Sequence, residues 1–329
     1  MEDLPDCALH EVLRVLARDN VRDCARFCAA WPPAQALFEL FMRSAVALAL
    51  PTTVRDLRKI AGLLQLTTLD LSFCEAVQDL GPLRSCVALE RLDLRGCVGL
   101  RCIAPLASCS SLLELDIGHT PVSDLCALKG LTHLRMSDCS RLSDLGPIAS
   151  CSSLRTLEMA RCFLVHDIEP LGSCPRLSLV DLSDTNVRDL APLRDCRKLQ
   201  HLLASGNQGI FDVSCLAACT ALTRLDVSYT HVSGPLAAGL LELDVSYSDV
   251  TDLEGLTNLR SLDVSGCRIG DAGIRALASC CASLQRLSIR NCKDVEDLSP
   301  LAACPALRAV DAAGCVRCRS FDPVRHLLI

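Results

Sequence analysis

Apolar positions along most of the chain follow one spelling, LxxLxLxx(C/T/N/S), in which two leucines bracket a single variable residue. Copies begin at Leu66, Leu89, Leu112, Leu131, Leu154, Leu177, Leu199, Leu222, Leu240, Leu259, Leu284 and Leu307, at spacings of 18 to 25 residues. Strict alternation in the LxLxx portion predicts a short strand in each unit, with one side buried and the other open. A weaker unit precedes the twelve. Val46, Leu48, Val54, Leu57 and Ile60 lie 23 residues before Leu69, Leu71, Val77, Leu80 and Leu83, and Arg43 replaces the first leucine. Repetition at this period means stacked layers, each burying its apolar side against its neighbours.

The twelve units resemble the leucine-rich-repeat family, from about residue 43 to the end of the chain. That resemblance implies an α/β fold, a right-handed curved solenoid of about twelve repeats plus a capping repeat. The segment after each strand, spelled (V/L)xDLxPL, is similar to the short-helix segment of internalin-type repeats. Twelve parallel strands at about 4.8 Å would form a concave sheet roughly 55 Å long, which suits a binding surface better than a closed pocket.

The residue between the two strand leucines points to that concave face. Read in order, the column is Asp70, Asp93, Asp116, Arg135, Glu158, Asp181, Leu203, Asp226, Asp244, Asp263, Ser288 and Asp311. Nine of the twelve are acidic, and like charges in neighbouring strands repel. We expect a protein partner with a basic segment to bind Asp70, Asp93, Asp116, Arg135, Glu158, Asp181, Asp226, Asp244 and Asp263. The plainer account is a solvated face whose aspartates discourage aggregation. A flanking column contains Arg91, Glu114, His133, His201, Arg224, Glu242 and Arg286. The three shortened units, beginning at Leu112, Leu222 and Leu240, should flatten the convex side locally.

Cysteine fills two further columns. Cys74, Cys97, Cys139, Cys162, Cys267, Cys292 and Cys315 alternate with Thr120, Thr185, Asn207, Thr230 and Ser248, so that position requires a small side chain able to bond turning backbone. Cys86, Cys109, Cys151, Cys174, Cys196, Cys219, Cys280 and Cys304 precede the next strand, as small buried hydrophobes would. The chain has 23 cysteines, an odd number, and its acidic start MEDLPDC lacks the basic region of an export signal. All are expected to be reduced thiols in the cytoplasm or nucleus. The only CxxC, Cys315 with Cys318, has no second pair at zinc spacing, so no metal is expected.

Composition fits this picture. Half the residues are apolar but only 3% are aromatic, as expected of many similar layers rather than one large core. A net charge of −6 gives no general attraction to phosphate, so nucleic acid is not expected as the main partner. The longest apolar run, AVALAL at residues 45–50, is far too short for a bilayer span.

Residues 1–42 read differently. Leu9, Val12, Leu13 and Leu16 mark one face of a helix, and a second helical stretch follows Asp19 or Asn20 and stops at Pro32. The segment is similar to an F-box: Leu4 and Pro5 fit its opening pair, Leu9, Val12, Leu13 and Leu16 its first helix, and Val21 and Trp31 its second. Cys7 and Ala8 depart from the pattern, as does the Pro-Pro after Trp31. The resemblance implies a Skp-type adaptor as partner, and a place for the chain as the substrate-recognition subunit of a cullin-based ubiquitin ligase. Four lysines against 29 arginines fit a chain that avoids modifying itself.

No P-loop, GxSxG, HExxH or dinucleotide fingerprint is present, and histidines 10, 119, 133, 166, 201, 231 and 326 share no ligand spacing. No catalytic residue, cofactor, metal or small-molecule substrate is expected. The alternative to the ligase adaptor is a structural scaffold of a cytoskeletal or flagellar assembly, with the helical segment as cap or docking element over residues 43–329.

Overall fold

The computed structural model describes residues 47–50, 52–126, 128–234, 236, 239–251, 253, 255–280, 282–319 and 322–328. The F-box-like segment, with Leu4, Pro5, Leu9, Val12, Leu13, Leu16, Val21 and Trp31, lies outside them. Two compact units divide the chain, one ending at Leu154 and the other starting at Arg155.

The first unit holds β1 (Ala47–Ala49), β2 (Thr68–Asp70), β3 (Arg91–Asp93), β4 (Glu114–Asp116) and β5 (His133–Arg135). They pair in parallel, in chain order. The second holds β6 (Thr156–Glu158), β7 (Leu179–Asp181), β8 (His201–Leu203), β9 (Arg224–Asp226), β10 (Glu242–Asp244), β11 (Ser261–Asp263), β12 (Arg286–Ser288) and β13 (Ala309–Asp311), likewise parallel and in chain order. Every leucine-rich spelling supplies one strand, and the weak preceding unit supplies β1. The fold is a leucine-rich-repeat solenoid.

Each layer closes around its own small core. In the layer starting at Leu89, the residues Leu89, Leu94, Cys97, Leu100, Ile103 and Leu106 are all fully buried. A fully buried leucine contributes roughly 1.5–3 kcal/mol, so a layer is held mainly by this cluster. One register differs from the sequence reading. Leu48 pairs with Leu69, whereas the 23-residue offset puts Val46 there. Leu48 and Leu57 are both buried, so the stretch between strand and turn is two residues shorter in this layer than between Leu69 and Leu80.

The PL segments form five-residue 3-10 turns: Gly81–Ser85, Ala104–Ser108, Gly146–Ser150, Glu169–Ser173, Ala191–Asp195 and Ser299–Ala303, each with Pro at a first-turn position. A seventh, Ser214–Ala218, lacks the Pro. Pro fits because the first amides of a helical turn lack intrahelical partners. The preceding aspartate serves those amides instead. Asp79 accepts from Gly81 N at 2.7 Å, Asp144 from Gly146 N at 2.7 Å, Asp189 from Ala191 N at 2.8 Å and Asp297 from Ser299 N at 2.8 Å. Among the described residues the three short units carry no such turn, because 18 or 19 residues leave too little chain for one. The 25-residue unit beginning at Leu259 has room for a true α-helix, α1 (Asp271–Cys280), which buries Ile274 and Leu277.

The cysteine columns behave as hydrogen-bonded rungs. Thiols of Cys97, Cys139, Cys267, Cys292 and Cys315 donate to Leu71, Ile117, Val245, Val264 and Ile289 carbonyls at 3.0–3.2 Å, all in the preceding layer. Thr120, Thr185 and Thr230 in the same column bond the carbonyl three residues back in their own layer. Asn207 reaches both Leu182 and Ala204 carbonyls. Cys315 thus belongs to this ladder, as its spacing predicts. The second column also reaches back a layer: Cys109 to Leu83 O at 3.4 Å and Cys219 to Leu193 O at 3.3 Å.

The expectation of reduced thiols throughout is corrected, since Cys304 is disulfide-bonded and such a bond consumes two thiols. Adjacent layers sit about 4.8 Å apart, inside the Cα separation a disulfide spans, so a cysteine column permits such a bond wherever two side chains turn together. Cys86, Cys97, Cys109, Cys139, Cys267 and Cys292 keep their thiols.

Candidate interaction surface

In the first unit the register aligns Asp70, Asp93, Asp116 and Arg135 on neighbouring strands. In the second it aligns Glu158, Asp181, Leu203, Asp226, Asp244, Asp263, Ser288 and Asp311. Each sequence-derived candidate therefore lies in its column, and each unit presents its own acidic row. None of the eight aspartates is fully exposed.

Their partial burial has a local cause. Each aspartate folds back onto the amide two residues ahead, closing the turn that ends its strand. Ser72 N donates to Asp70 at 2.8 Å, Arg95 N to Asp93 at 2.9 Å and Gly118 N to Asp116 at 2.8 Å. In the second unit Ser183, Ser228, Ser246, Ser265 and Ala313 amides donate likewise to Asp181, Asp226, Asp244, Asp263 and Asp311. This is the Asx turn, open to Asp and Asn and closed to longer or apolar side chains. The LDLS spelling thus has a structural reason that the electrostatic reading of the column did not include. One oxygen of each carboxylate serves the turn.

Crowding on the row falls on two of its middle aspartates. Burial pushes the Asp93 carboxyl above its ordinary value, with Asp116 and Asp70 adding repulsion against the lowering effect of its backbone hydrogen bond. Asp244 is raised in the same way by burial, with Asp226 and Asp263 as the charged neighbours. The flanking column pairs its own charges. Arg91 Nε meets Glu114 at 3.1 Å, and Arg224 Nε lies 3.7 Å from Glu242. On the first unit, strands β2 to β5 floor a shallow depression of about 270 Å³, lined by Asp70, Asp93, Asp116, Arg91, Glu114 and Arg135.

Past the Asx turn every layer from β2 onward passes through one left-handed residue. The column reads Phe73, Gly96, His119, Asp138, Arg161, Asp184, Gly206, Tyr229, Tyr247, Gly266, Asn291 and Gly314, with φ between 54° and 80°. Glycine adopts this backbone freely and most side chains do not. Sequence reasoning passed over the column, although its most unusual occupants were legible: the chain has two tyrosines, and both fall here, in consecutive shortened layers. Their rings stack 4.7 Å apart at 12°, half exposed.

Cysteine chemistry is suppressed at the ladder. Burial pushes the Cys97, Cys196 and Cys292 thiols up to about 12, so the nucleophilic thiolate is scarce near neutrality. Among the described residues no cluster of three or more His, Cys, Asp or Glu could hold a metal ion, and no helix is long and apolar enough to cross a membrane.

A family model described as Leucine Rich repeat matches residues 65–81 and 255–278. A search of curated sequences finds no match. Among solved structures, an internalin (inlF) from Listeria monocytogenes superposes with a TM-score of 0.73 at 22% identity, over 84% of this chain and 89% of that one. A leucine-rich-repeat protein of Leptospira interrogans gives 0.52 at 14%, over 85% and 90%. The functional domain of InlJ from Listeria monocytogenes, which includes a cysteine ladder, gives 0.53 at 16%, over 80% and 57%. At these identities the likeness is one of fold. The repeats are leucine-rich repeats, and internalins are among the structures that share their architecture.

Proposed function

We propose that the chain is a non-enzymatic interaction adaptor that holds a protein partner on its strand faces, and that residues 4–41 dock a Skp-type adaptor of a cullin-based ubiquitin ligase. Proteins of this repeat architecture typically act through protein–protein contact, and an open strand face offers width rather than enclosure. The observation that carries the first half is the in-register carboxylate row. Burial first, and neighbouring like charges after it, raise Asp93 and Asp244, and a basic segment laid across the row would relieve the repulsive part. The second half rests on the Leu4-Pro5 opening, the Leu9, Val12, Leu13 and Leu16 face, and Val21 and Trp31.

Asparagine is the right probe of the row, because its side-chain oxygen still accepts the Asx hydrogen bond while the charge is removed. A set of Asp70, Asp93, Asp116, Asp181, Asp226 and Asp244 to Asn variants should unfold at the wild-type temperature or above and lose salt-sensitive partners in affinity purification. Retention of every partner removes the row from the reading. For the N-terminal half, pull-down with a Skp protein should succeed with wild type and fail with Leu9→Asp/Leu13→Asp. No capture by wild type rejects the ligase role and leaves a scaffold that binds through its repeats alone.

A further inference from the structure

The left-handed column of the second unit contains an arrangement that neither the repeat nor the acidic row requires. Tyr229 and Tyr247 hold backbone at φ 54° and 55°, a left-handed conformation that a bulky residue adopts only at an energetic cost. Gly206, Gly266 and Gly314 occupy the same position in nearby layers of this unit, so the architecture does not demand aromatics. Both rings remain about half exposed, at 54% and 45%.

The pair is also held still. The Tyr247 ring lies over Gly266, where a Cβ would fall 2.6 Å from it, so only glycine leaves it room. Asn291 Nδ2 donates to the Tyr247 hydroxyl at 3.2 Å, anchoring the far end. Tyr229 stacks on Tyr247 and so has one face covered. In the preceding layer the same position is Gly206, which contributes no side chain. Into that vacancy leans Asp184, its carboxylate in the place a side chain at 206 would take. Asp184 makes no ion pair among the described residues. In the left-handed column only Gly206 therefore separates Asp184 from the half-exposed Tyr229, which lies three residues beyond the Asp226 end of β9.

We propose that the Tyr229–Tyr247 stack with Asp184 is a docking platform for an arginine side chain of a protein partner lying along the ends of β8 to β10. A guanidinium is planar and weakly hydrated. It stacks on a tyrosine face and offers its edge donors to a carboxylate at the same time. Lysine brings the charge without the plane. Charge complementarity extends beyond the slot, since Asp226 and Asp244 lie on the adjacent strand ends. The proposal rests on the reading that a protein segment occupies the strand face, and it names the side chain that segment must carry.

The test uses the full chain and two fluorescein-labelled peptides, Arg-Ser-Arg-Ser-Arg-Ser and its lysine counterpart, followed by fluorescence polarisation. Wild type should bind the arginine peptide about fivefold more tightly, the ratio expected of a stacking contact worth near 1 kcal/mol. Tyr229→Ala should reduce that ratio to one, Tyr229→Phe should keep it, and Asp184→Asn should weaken the arginine peptide more than the lysine one. Circular dichroism spectra matching wild type confirm folding, and Asp184→Asn carries the test if the alanine variant does not fold, an equal loss for both peptides counting against the platform. Equal affinities for the two peptides in wild type, or a ratio unchanged by Tyr229→Ala, overturn the platform. So does preference for a single-stranded uridine oligomer over the arginine peptide. If Asp226→Asn/Asp244→Asn abolishes both peptides equally while Tyr229→Ala does nothing, the platform falls and the acidic-face reading stands. If the platform variants act as expected but no affinity-purified partner depends on the row, the wider reading falls instead.

Discussion

Asp93 shows how one residue can serve two masters. Its carboxylate accepts the Arg95 amide and so shapes the end of β3, and it faces Asp70 and Asp116 across the sheet. Replacing it with Asn keeps the first role and removes the second, so Asp93→Asn should raise stability by a few tenths of a kcal/mol to about 1 kcal/mol, the range of cross-strand pairs. Asp93→Ala should lower it, because the Arg95 amide loses its acceptor. Chemical denaturation of the two variants beside wild type checks both signs. The ladder makes a similar point. Cys97→Thr should be tolerated, since threonine already fills that column at positions 120, 185 and 230, whereas Cys97→Leu should destabilise by roughly 1–3 kcal/mol through overpacking. Alkylation with iodoacetamide at pH 8 followed by peptide mapping should label exposed Cys102 and spare Cys97, Cys196 and Cys292, whose thiols burial holds near 12.

At the level of elements, the strands and 3-10 turns were legible because leucine spacing and the PL dipeptide report backbone directly. What escaped was the work of the polar letters between them. The D of LxLD closes a strand and the D of DLxPL opens a turn, yet in a sequence both look like surface charge. Asp144→Ala should cost about 1 kcal/mol, as loss of a helical N-terminal acceptor does, while Asp144→Asn should cost little. Differential scanning calorimetry distinguishes the two. The helix α1 was missed for another reason. A 25-residue spacing announces extra chain, but only burial of Ile274 and Leu277 decides that the extra chain coils. The tyrosine stack was hidden because its partners lie 18 residues apart in sequence and touch only after two short layers are laid side by side.

Over the whole molecule, charge sets the response to pH. Asp93 and Asp244 have folded values raised above their unfolded ones, so the folded state binds their protons more tightly. Their penalty is fully present above the folded value and lifts as pH falls through it. Asp212 runs the other way: its hydrogen bonds to Ser214 lower it, so its contribution holds above the unfolded value and disappears as pH falls further. Urea midpoints of wild type and of Asp93→Asn/Asp244→Asn should therefore converge as pH drops from 7 toward 4, with the variant ahead at 7. A constant gap across that range would contradict the assignment.

The backward reach of the cysteine thiols has a consequence for how such a chain could lengthen or shorten. Leu66–Ala88 and Leu89–Ser111 span the same number of residues. The first of these layers receives two thiols from the second: Cys97 at the Leu71 carbonyl and, in the other column, Cys109 at the Leu83 carbonyl. Every layer of this type therefore offers its successor the same two acceptors. Excising residues 89–111 as a block would bring the Leu112 layer onto a surface nearly identical to the one it left, with Thr120 bonding within its own layer and needing nothing from behind. Repeat number is thus a variable that recombination can change in whole steps without repairing a seam, and the width of the surface offered to a partner can change with it.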